Sequence, residues 1–401
     1  MLSSLKKNLS VYTLIPMVML LLTYPYVFFA IFHLPGESVM AGVFFVVTIF
    51  LFFFGRKKKY VFPKGFFVCI VIQVVTWLFY TLIHMDSSYL TRIFFMVLAL
   101  FVIKMLFSKD GFYKFHYLNI SIITVQAVLG IIAFVLVFLN MLQPLFEFYA
   151  DSRGTSFFGI TCSNVVYGNF IRPSGYFDEP GALAFWGFFA LIMNKLVFNN
   201  KFIEFALAIG LLSTFSAAYF ILLPLYIICF YSTHLKSLLV AGIISCVLGY
   251  FAYSNLEQEA HFLEYTTERF EGGEVRSMRN DLAIAAKKRF LENPFVGIGA
   301  KQLNQGEYLA DNQYEILAKD GMIGFIVTYL PLLYLVFKFR KRKEIVLGSG
   351  LLFIDYFQRP FHINVMHFFI LYSFILFIYE SYDRKQYCQS EIKNLCNNSL
   401  L

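Results

Sequence analysis

Long apolar runs recur along almost the whole of this chain, and they restrict its fold more than any other feature of the sequence. Of the 401 residues, 59% are hydrophobic and only 14% are charged. A soluble domain carries about 25% charged residues, and an apolar run of ~20 residues is long enough to cross a bilayer as a helix. The sequence therefore predicts an all-α polytopic membrane protein in which residues 1–401 form a single integral membrane domain.

The apolar runs predict about twelve transmembrane helices. Their approximate bounds are Val11–His33, Val39–Phe54, Phe66–Ile83, Tyr89–Phe107, Leu118–Leu142, Ala182–Phe198, Phe202–Phe215, Ala217–Tyr231, Leu238–Ser254, Met322–Phe337, Ile345–Phe357 and Val365–Tyr379. The first run is longer than the core of a signal peptide, which has about 7–15 residues. We therefore expect it to be retained as a span.

Lysine and arginine residues cluster on one side of the predicted bundle. They are Lys6, Lys7, Arg56–Lys59, Lys109, Lys114, Lys201, Lys236, Lys338–Lys343, Arg384 and Lys385. By the positive-inside rule this side is cytoplasmic, so both termini are expected in the cytoplasm. The same distribution explains the net charge of +8 without a nucleic-acid partner.

Two long polar segments fall on the opposite face of the predicted bundle. Residues 143–181 are predicted to form the first long loop and residues 255–321 the second. Long loops are translocated regardless of their charge, so the basic residues of the second loop agree with this orientation. Because connections of this length are usually functional, we expect the chemistry of the protein outside the cytoplasm.

The first long loop ends in the run Arg172-Pro-Ser-Gly-Tyr-Phe-Asp-Glu-Pro180, directly before a hydrophobic segment. Pro173 and Gly175 predict a turn, and the proline at position 180 can begin the next helix. The run therefore places an arginine and two adjacent acids at the edge of a membrane, where ionisable groups must be solvated, paired or used.

An arginine at the membrane surface is suited to bind a diphosphate through charge-assisted, often bidentate hydrogen bonds. We predict this role for Arg172, and Arg153 lies in the same loop. Asp178 and Glu179 have a structural alternative, because negative charge or a capping side chain at a helix N-terminus is stabilising.

The second long loop is predicted to contain one amphipathic helix, over about Met278–Leu291. Ser277 is suited to its N-cap, and Asn293-Pro294 predicts its end. At ~100° per residue its packing face carries Leu282, Ala283, Ala286 and Phe290.

Arg279 falls on that packing face, Arg276 lies at its edge, and Lys288 points the opposite way. An arginine on a packing face indicates a binding role, or a salt bridge to a loop acid such as Glu271 or Glu274.

Two glycine-containing runs, Asn293–Gly299 and Asp311–Gly324, complete the second loop. The glycines of the first run lack the flanking strand and helix of a dinucleotide-binding fold, so they predict a tight turn. In the second run, Asp311 and Asn312 can cap a helix over Gln313–Lys319. Asp311 can alternatively serve as a general base.

The order of these parts resembles the O-antigen polymerase (Wzy) and O-antigen ligase superfamily. Many spans surround a first loop with an R-x-x-G-x-F-x-E-P-like run at Arg172–Pro180. An arginine-bearing basic helix and a P-x-x-G-x-G turn follow over Arg279–Gly299, and a D/H-N-x-Y run with G-x-x-G ends the pattern at Asp311–Gly324. The resemblance covers roughly residues 140–335 by motif and the whole chain by topology.

The resemblance implies glycosyl transfer at the periplasmic face of the bacterial inner membrane. Its substrates would be undecaprenyl-diphosphate-linked oligosaccharides, and its partners membrane lipid and a chain-length regulator protein. It implies that arginines stabilise the diphosphate leaving group and that a carboxylate accepts the proton of the attacking sugar hydroxyl. The expected diphosphate ligands are Arg172, Arg279, Arg276 and Arg153, the expected bases Glu179 and Asp311, and the expected glycan contacts Asp178, Asn312, Tyr314 and Tyr176.

We expect neither a metal nor a cofactor. The six cysteines are scattered without a C-x-x-C pair, which is typical of small apolar packing residues. His362 and His367 have no carboxylate partner at a metal-binding spacing. Arginines that stabilise a diphosphate would also remove the need for a metal ion.

Two other functions are alternatives to an O-antigen polymerase. Ligases of the superfamily usually carry a histidine where this chain has Asp311, which favours the polymerase. A flippase for lipid-linked oligosaccharides would also have about twelve spans. A flippase needs charges along a central cavity and has short loops, whereas these spans are nearly free of charge and two loops are long.

The predicted orientation can be tested with reporter fusions. We expect fusions after Lys59, Lys114 and Lys343 to report the cytoplasm, and a fusion within Glu257–Leu309 to report the periplasm, because basic residues are retained in the cytoplasm. Paired phosphatase and fluorescent-protein reporters measure the two locations. A periplasmic signal at Lys343 would overturn the orientation.

Overall fold

The fold is described from a computed structural model, which describes residues 14–15, 18, 37–53, 60–108, 111–150, 153–231, 274–299, 314–358 and 365–398. The described residues are mostly helical, at 77%, which confirms the helical class. By length and composition, five helices in this part of the chain are able to cross a membrane: Lys64–His84, Ser88–Ser108, Phe112–Phe138, Pro180–Phe198 and Glu315–Lys338. Of the other expected spans, Val11–His33 lies mostly and Leu238–Ser254 wholly outside the described residues.

Ten of the described helices overlap predicted apolar runs, and one lies in the second long loop. They are α1 (Glu37–Phe53), α2 (Lys64–His84), α3 (Ser88–Ser108), α4 (Phe112–Phe138), α5 (Pro180–Met193), α6 (Lys201–Gly210), α7 (Ala217–Tyr231), α8 (Glu274–Glu292), α9 (Glu315–Lys338), α10 (Lys343–Gln358) and α11 (Val365–Asn398). A π-helical turn, Asn194–Phe198, extends α5, and a 3-10 turn, Leu211–Thr214, extends α6.

Two of these helices form the centre of the bundle, because they are apolar on every side. Almost every residue of α5 is buried, and it packs against α4, α6, α7 and α10. The first half of α11 is equally buried and packs against α3 and α9. The Phe189 ring of α5 and the Phe374 ring of α11 lie 6.3 Å apart, so the two central helices meet.

Helices α6 and α7 form a short hairpin inside the bundle. The Tyr219 hydroxyl of α7 donates to the Ala208 carbonyl of α6 at 3.0 Å, and the Tyr226 hydroxyl donates to Glu204 at 2.7 Å. Ser213, Thr214 and Ser216, at the turn between the two helices, are at most 7% exposed. The turn is therefore buried within the bundle.

The first long loop forms two small antiparallel sheets, which the sequence did not predict. β1 (Phe146–Ala150), β2 (Arg153–Phe157) and β3 (Cys162–Ser163) make a three-stranded sheet, and β4 (Val166–Tyr167) pairs with β5 (Phe170–Ile171). Strands of two to five residues are too short to show a reliable alternation. They are stabilised by packing, since Phe158 and Ile171 are buried against Ala133 and Val137 of α4.

The amphipathic helix of the second loop is present as α8 and ends before Asn293, as predicted. The described part of this helix already includes Glu274, so the prediction that Ser277 is the N-cap is wrong.

The glycine-containing run after α8 forms the tight turn that the sequence predicts, and it binds the start of α9. The Ile298 and Gly299 amides donate to the Ala318 and Lys319 carbonyls at 3.0 and 2.9 Å. In return the Met322 amide donates to the Pro294 carbonyl at 2.8 Å.

The same contact interrupts α9 at Gly321, whose φ of 63° is not helical. The predicted helix over Gln313–Lys319 and the span beginning at Met322 therefore meet at this break.

Gly297 is expected to tolerate no side chain. Its φ is +69°, and a Cβ there would collide with the Lys319 carbonyl. A left-handed conformation alone costs a residue with a Cβ about 1–2 kcal/mol. We expect Gly297→Ala to lower the thermal unfolding temperature in detergent, whereas Gly350→Ala, where a Cβ meets nothing within 4 Å, leaves it unchanged or raises it. Equal temperatures for the two variants would contradict this assignment.

Candidate functional site

The run Arg172–Pro180 of the first loop is a bonded turn against β3 and α4. The Cys162 amide donates to the Gly175 carbonyl at 2.7 Å, and the Ser174 amide donates to the Cys162 carbonyl at 2.8 Å. The Tyr176 amide donates to Oε1 of Gln126 in α4 at 3.2 Å. These bonds on several sides hold the turn in one conformation.

This turn enters the helical bundle. Gln126, its partner, lies twelve residues before the end of α4, which corresponds to about 18 Å along the helix. Pro173 packs on Gly130 of the same helix, where a Cβ would lie 3.2 Å from the Pro173 Cβ. Irregular backbone at such depth is tolerated only where protein or a water-filled cavity surrounds it. The first-loop motif is therefore enclosed by the helical bundle and does not lie on its surface.

Arg172 connects the turn to the hairpin of α6 and α7. It is 5% exposed, and its Nε and Nη2 donate to the Thr214 and Phe215 carbonyls at 3.0 and 3.1 Å. These carbonyls lie at the end of the 3-10 turn that extends α6, where a positive charge is favourable. The sequence did not predict this capping role, since the partner carbonyls are remote in the chain.

Glu179 occupies the N-cap position of α5, and Pro180 begins the helix as predicted. The Glu179 side chain makes no capping hydrogen bond to the first turn of α5. The alternative in which this carboxylate serves as the helix cap is therefore not supported by the geometry. Tyr176 and Asp178 are half-buried in the same segment.

The remaining predicted site residues belong to other elements. Arg153 is the first residue of β2, and both Arg276 and Arg279 lie in α8. Tyr314 precedes α9, is half-buried and packs against the contact between α8 and α9. Asp311 and Asn312 lie outside the described residues.

A buried ion pair that the sequence did not single out joins α3 to α9. Nη1 of Arg92 and Oδ2 of Asp320 are 2.6 Å apart, and the two side chains are 3% and 0% exposed. The Tyr89 hydroxyl donates to Oδ1 of Asp320 at 2.9 Å, and the Tyr80 hydroxyl donates to its backbone carbonyl at 2.7 Å. An arginine inside an apolar run is the signal that could have found this pair, because such a group requires a partner.

Asp320 lies directly before the break at Gly321, so this cluster also holds the second loop. The glycine turn after α8 is bonded to the residues around Asp320, and Nε2 of His84 lies 3.1 Å from the Val296 carbonyl. Lys319 pairs with Glu315 in the same turn of α9. The ends of α2, α3 and the second-loop turn are thus joined at one polar cluster.

Cys162, in β3, is bonded to the first-loop turn through its backbone. Burial raises the pKa of the Cys162 thiol to about 12, so it stays protonated and poorly nucleophilic at neutral pH. Among the described residues, no group of three or more His, Cys, Asp or Glu side chains is placed to hold a metal ion.

Comparison of the chain with models of protein families, with curated proteins and with solved structures gives no significant match. The resemblance drawn from the motifs therefore remains a prediction.

The Arg92–Asp320 pair is expected to hold the second-loop turn on the bundle. Removing one partner of a buried pair costs about 3–5 kcal/mol, and tenfold faster exchange corresponds to about 1.4 kcal/mol. We expect Asp320→Asn, which keeps the size of the side chain, to raise amide hydrogen exchange at residues 294–299 and 318–323 at least about tenfold. Mass spectrometry of the protein in nanodiscs measures this.

Glu204→Gln provides a control, because Glu204 also pairs with lysines, Lys195 (3.3 Å) and Lys201 (3.0 Å), and none of the three belongs to the second-loop turn. It should leave exchange at these two segments unchanged. If both substitutions raise the exchange equally, the bundle as a whole is destabilised, and the Arg92–Asp320 pair does not specifically hold the second-loop turn.

Proposed function

We propose that this chain is an O-antigen polymerase. It would join undecaprenyl-diphosphate-linked oligosaccharide repeat units into polysaccharide by metal-independent glycosyl transfer at the periplasmic face of a bacterial inner membrane. The observation that carries the proposal is the bonded turn within the bundle that holds Arg172 at one end and Glu179 at the other. A cation and a carboxylate on one short element among membrane-spanning helices suit a substrate whose reacting group is attached to a lipid.

In the proposed reaction, a hydroxyl oxygen of the acceptor sugar attacks the anomeric carbon of the donor. The bond from this carbon to the diphosphate oxygen breaks, and its electron pair leaves with undecaprenyl diphosphate. Negative charge accumulates on the leaving group, and preorganised cations stabilise it most where water is excluded. Arg172 and Arg279 would supply these charges, with Arg276 and Arg153 assisting.

The hydroxyl proton passes to a carboxylate, for which Glu179 and Asp311 are the candidates. The half-buried position of Glu179, directly after the turn that bears Arg172, supports it in this role. Asp178 and Tyr176, in the same segment, would contact the glycan. Asn312 and Tyr314 would do so from the start of α9.

The activity is tested by deleting the gene in its host and separating the surface polysaccharide by gel electrophoresis. Loss of a polymerase leaves core carrying a single repeat unit. Loss of a ligase would leave no attached repeats but long lipid-linked polymer, and loss of a flippase would leave neither. Either of the last two patterns would contradict the proposal.

Complementation of this deletion strain with variants of the protein tests which carboxylate is the base. We expect Glu179→Gln to lower turnover of lipid-linked repeats by ~10²-fold or more, because an amide accepts a proton poorly. The variant should lose little stability, because glutamine keeps the size of the side chain and a hydrogen-bonding oxygen.

Asp311→Asn is the parallel variant. If Asp311 only caps a helix it should be tolerated, because Asn caps about as well as Asp. Normal turnover in both variants would exclude both carboxylates as the base.

A further inference from the structure

Helix α8 has two faces of different character. Ala286 is fully buried and packs with Leu282 and Ala285 against Ile298 and Ala318. This face attaches the helix to the second-loop turn and to the start of α9. It accounts for only part of the apolar surface of the helix.

The opposite face is exposed and still carries large apolar side chains. Ile284 is 66% exposed and Leu291 is 65% exposed. Lys287 and Lys288 are exposed between them. At ~100° per residue these four positions lie within one sector about 100° wide. The face therefore alternates aliphatic and cationic side chains and differs from an ordinary hydrated surface.

This exposed strip is continuous with an apolar side of the bundle. Phe295, just after α8, is 70% exposed, and its carbonyl accepts from the Ile323 amide at 3.1 Å. Met322, Ile323 and Ile326 begin the exposed apolar side of α9, a helix long and apolar enough to cross a membrane. The strip on α8 thus starts where the lipid-facing surface of α9 ends.

We propose that α8 lies in the surface of the bilayer, with Ile284, Leu291 and Phe295 in the boundary between headgroups and acyl chains. Lys287 and Lys288 would contact the phosphates of anionic phospholipids. An interfacial helix typically combines these features, because lysine stems cover apolar surface while their ammonium groups reach the headgroups. An exposed apolar patch rimmed by cations is accounted for by this one partner.

The proposal is independent of the glycosyl-transfer activity, and a depth measurement tests it. The two native tryptophans, Trp77 and Trp186, are buried in the bundle, so the emission added by a new tryptophan is measurable as a difference. Leu291→Trp in nanodiscs of phosphatidylcholine and phosphatidylglycerol brominated on their acyl chains should lose most of this added emission. Glu292→Trp, one residue on but ~100° around the helix, should lose little.

Two results of this comparison would overturn the proposal. If neither tryptophan is quenched, the strip faces water or the surface of another protein. If both are quenched equally, the helix is immersed in the bilayer and does not lie on it with one face.

Wild-type protein gives a second measurement that no substitution can disturb. Hydrogen exchange along α8 should be slower in nanodiscs containing phosphatidylglycerol than in those of phosphatidylcholine alone. The double charge reversal Lys287→Glu/Lys288→Glu should remove this difference and leave exchange in α9 unchanged. The same exchange rate in both lipids for the wild-type protein would exclude the lysine contacts with anionic headgroups.

Discussion

Backbone polar groups inside an apolar bundle must find partners within the protein, and this constraint organises the whole structure. It applies wherever a helix stops before crossing the bundle. At the tip of the hairpin of α6 and α7, Arg172 donates to the Thr214 and Phe215 carbonyls. At the break in α9, the amides beyond Gly321 are bonded to the turn that follows α8. Each irregular segment in these places is therefore paired with a polar group from a remote part of the chain.

The same constraint applies to charged side chains, which also need partners inside the bundle. Arg92 and Asp320 neutralise each other in a site that excludes water, and Tyr80 and Tyr89 add hydrogen bonds to the aspartate. Such a pair contributes modestly to net stability, yet losing one partner is costly, so it favours one arrangement over its alternatives. Here that arrangement places the second-loop turn on the ends of α2 and α3.

The proposed site has its cation and its carboxylate on an element that also holds the fold together. Arg172 caps a helix end and would stabilise a diphosphate, and both roles use the same buried positive charge. If α8 rests on the bilayer, the second loop would be held between the bundle below and the lipid beside it. A lipid-linked substrate would then meet both loops close to the depth at which its diphosphate lies.

Local physics determined what the sequence by itself could predict. Helix α7 begins at the predicted residue Ala217, because a hydrophobic run is a property of contiguous residues. The end of α8 before Asn293-Pro294 and the turn at Gly297 follow from the conformational preferences of proline and glycine.

Tertiary structure alone decided which distant groups meet. Arg92 and Asp320 are 228 residues apart in the chain, and the carbonyls that Arg172 binds carry no signature in the sequence, since every residue has one. The short strands of the first loop also could not be predicted from the sequence, because strands of two to five residues form where α4 offers a surface to pack on. Contacts between residues remote in sequence depend on the packing of the whole bundle, so no local sequence pattern predicts them.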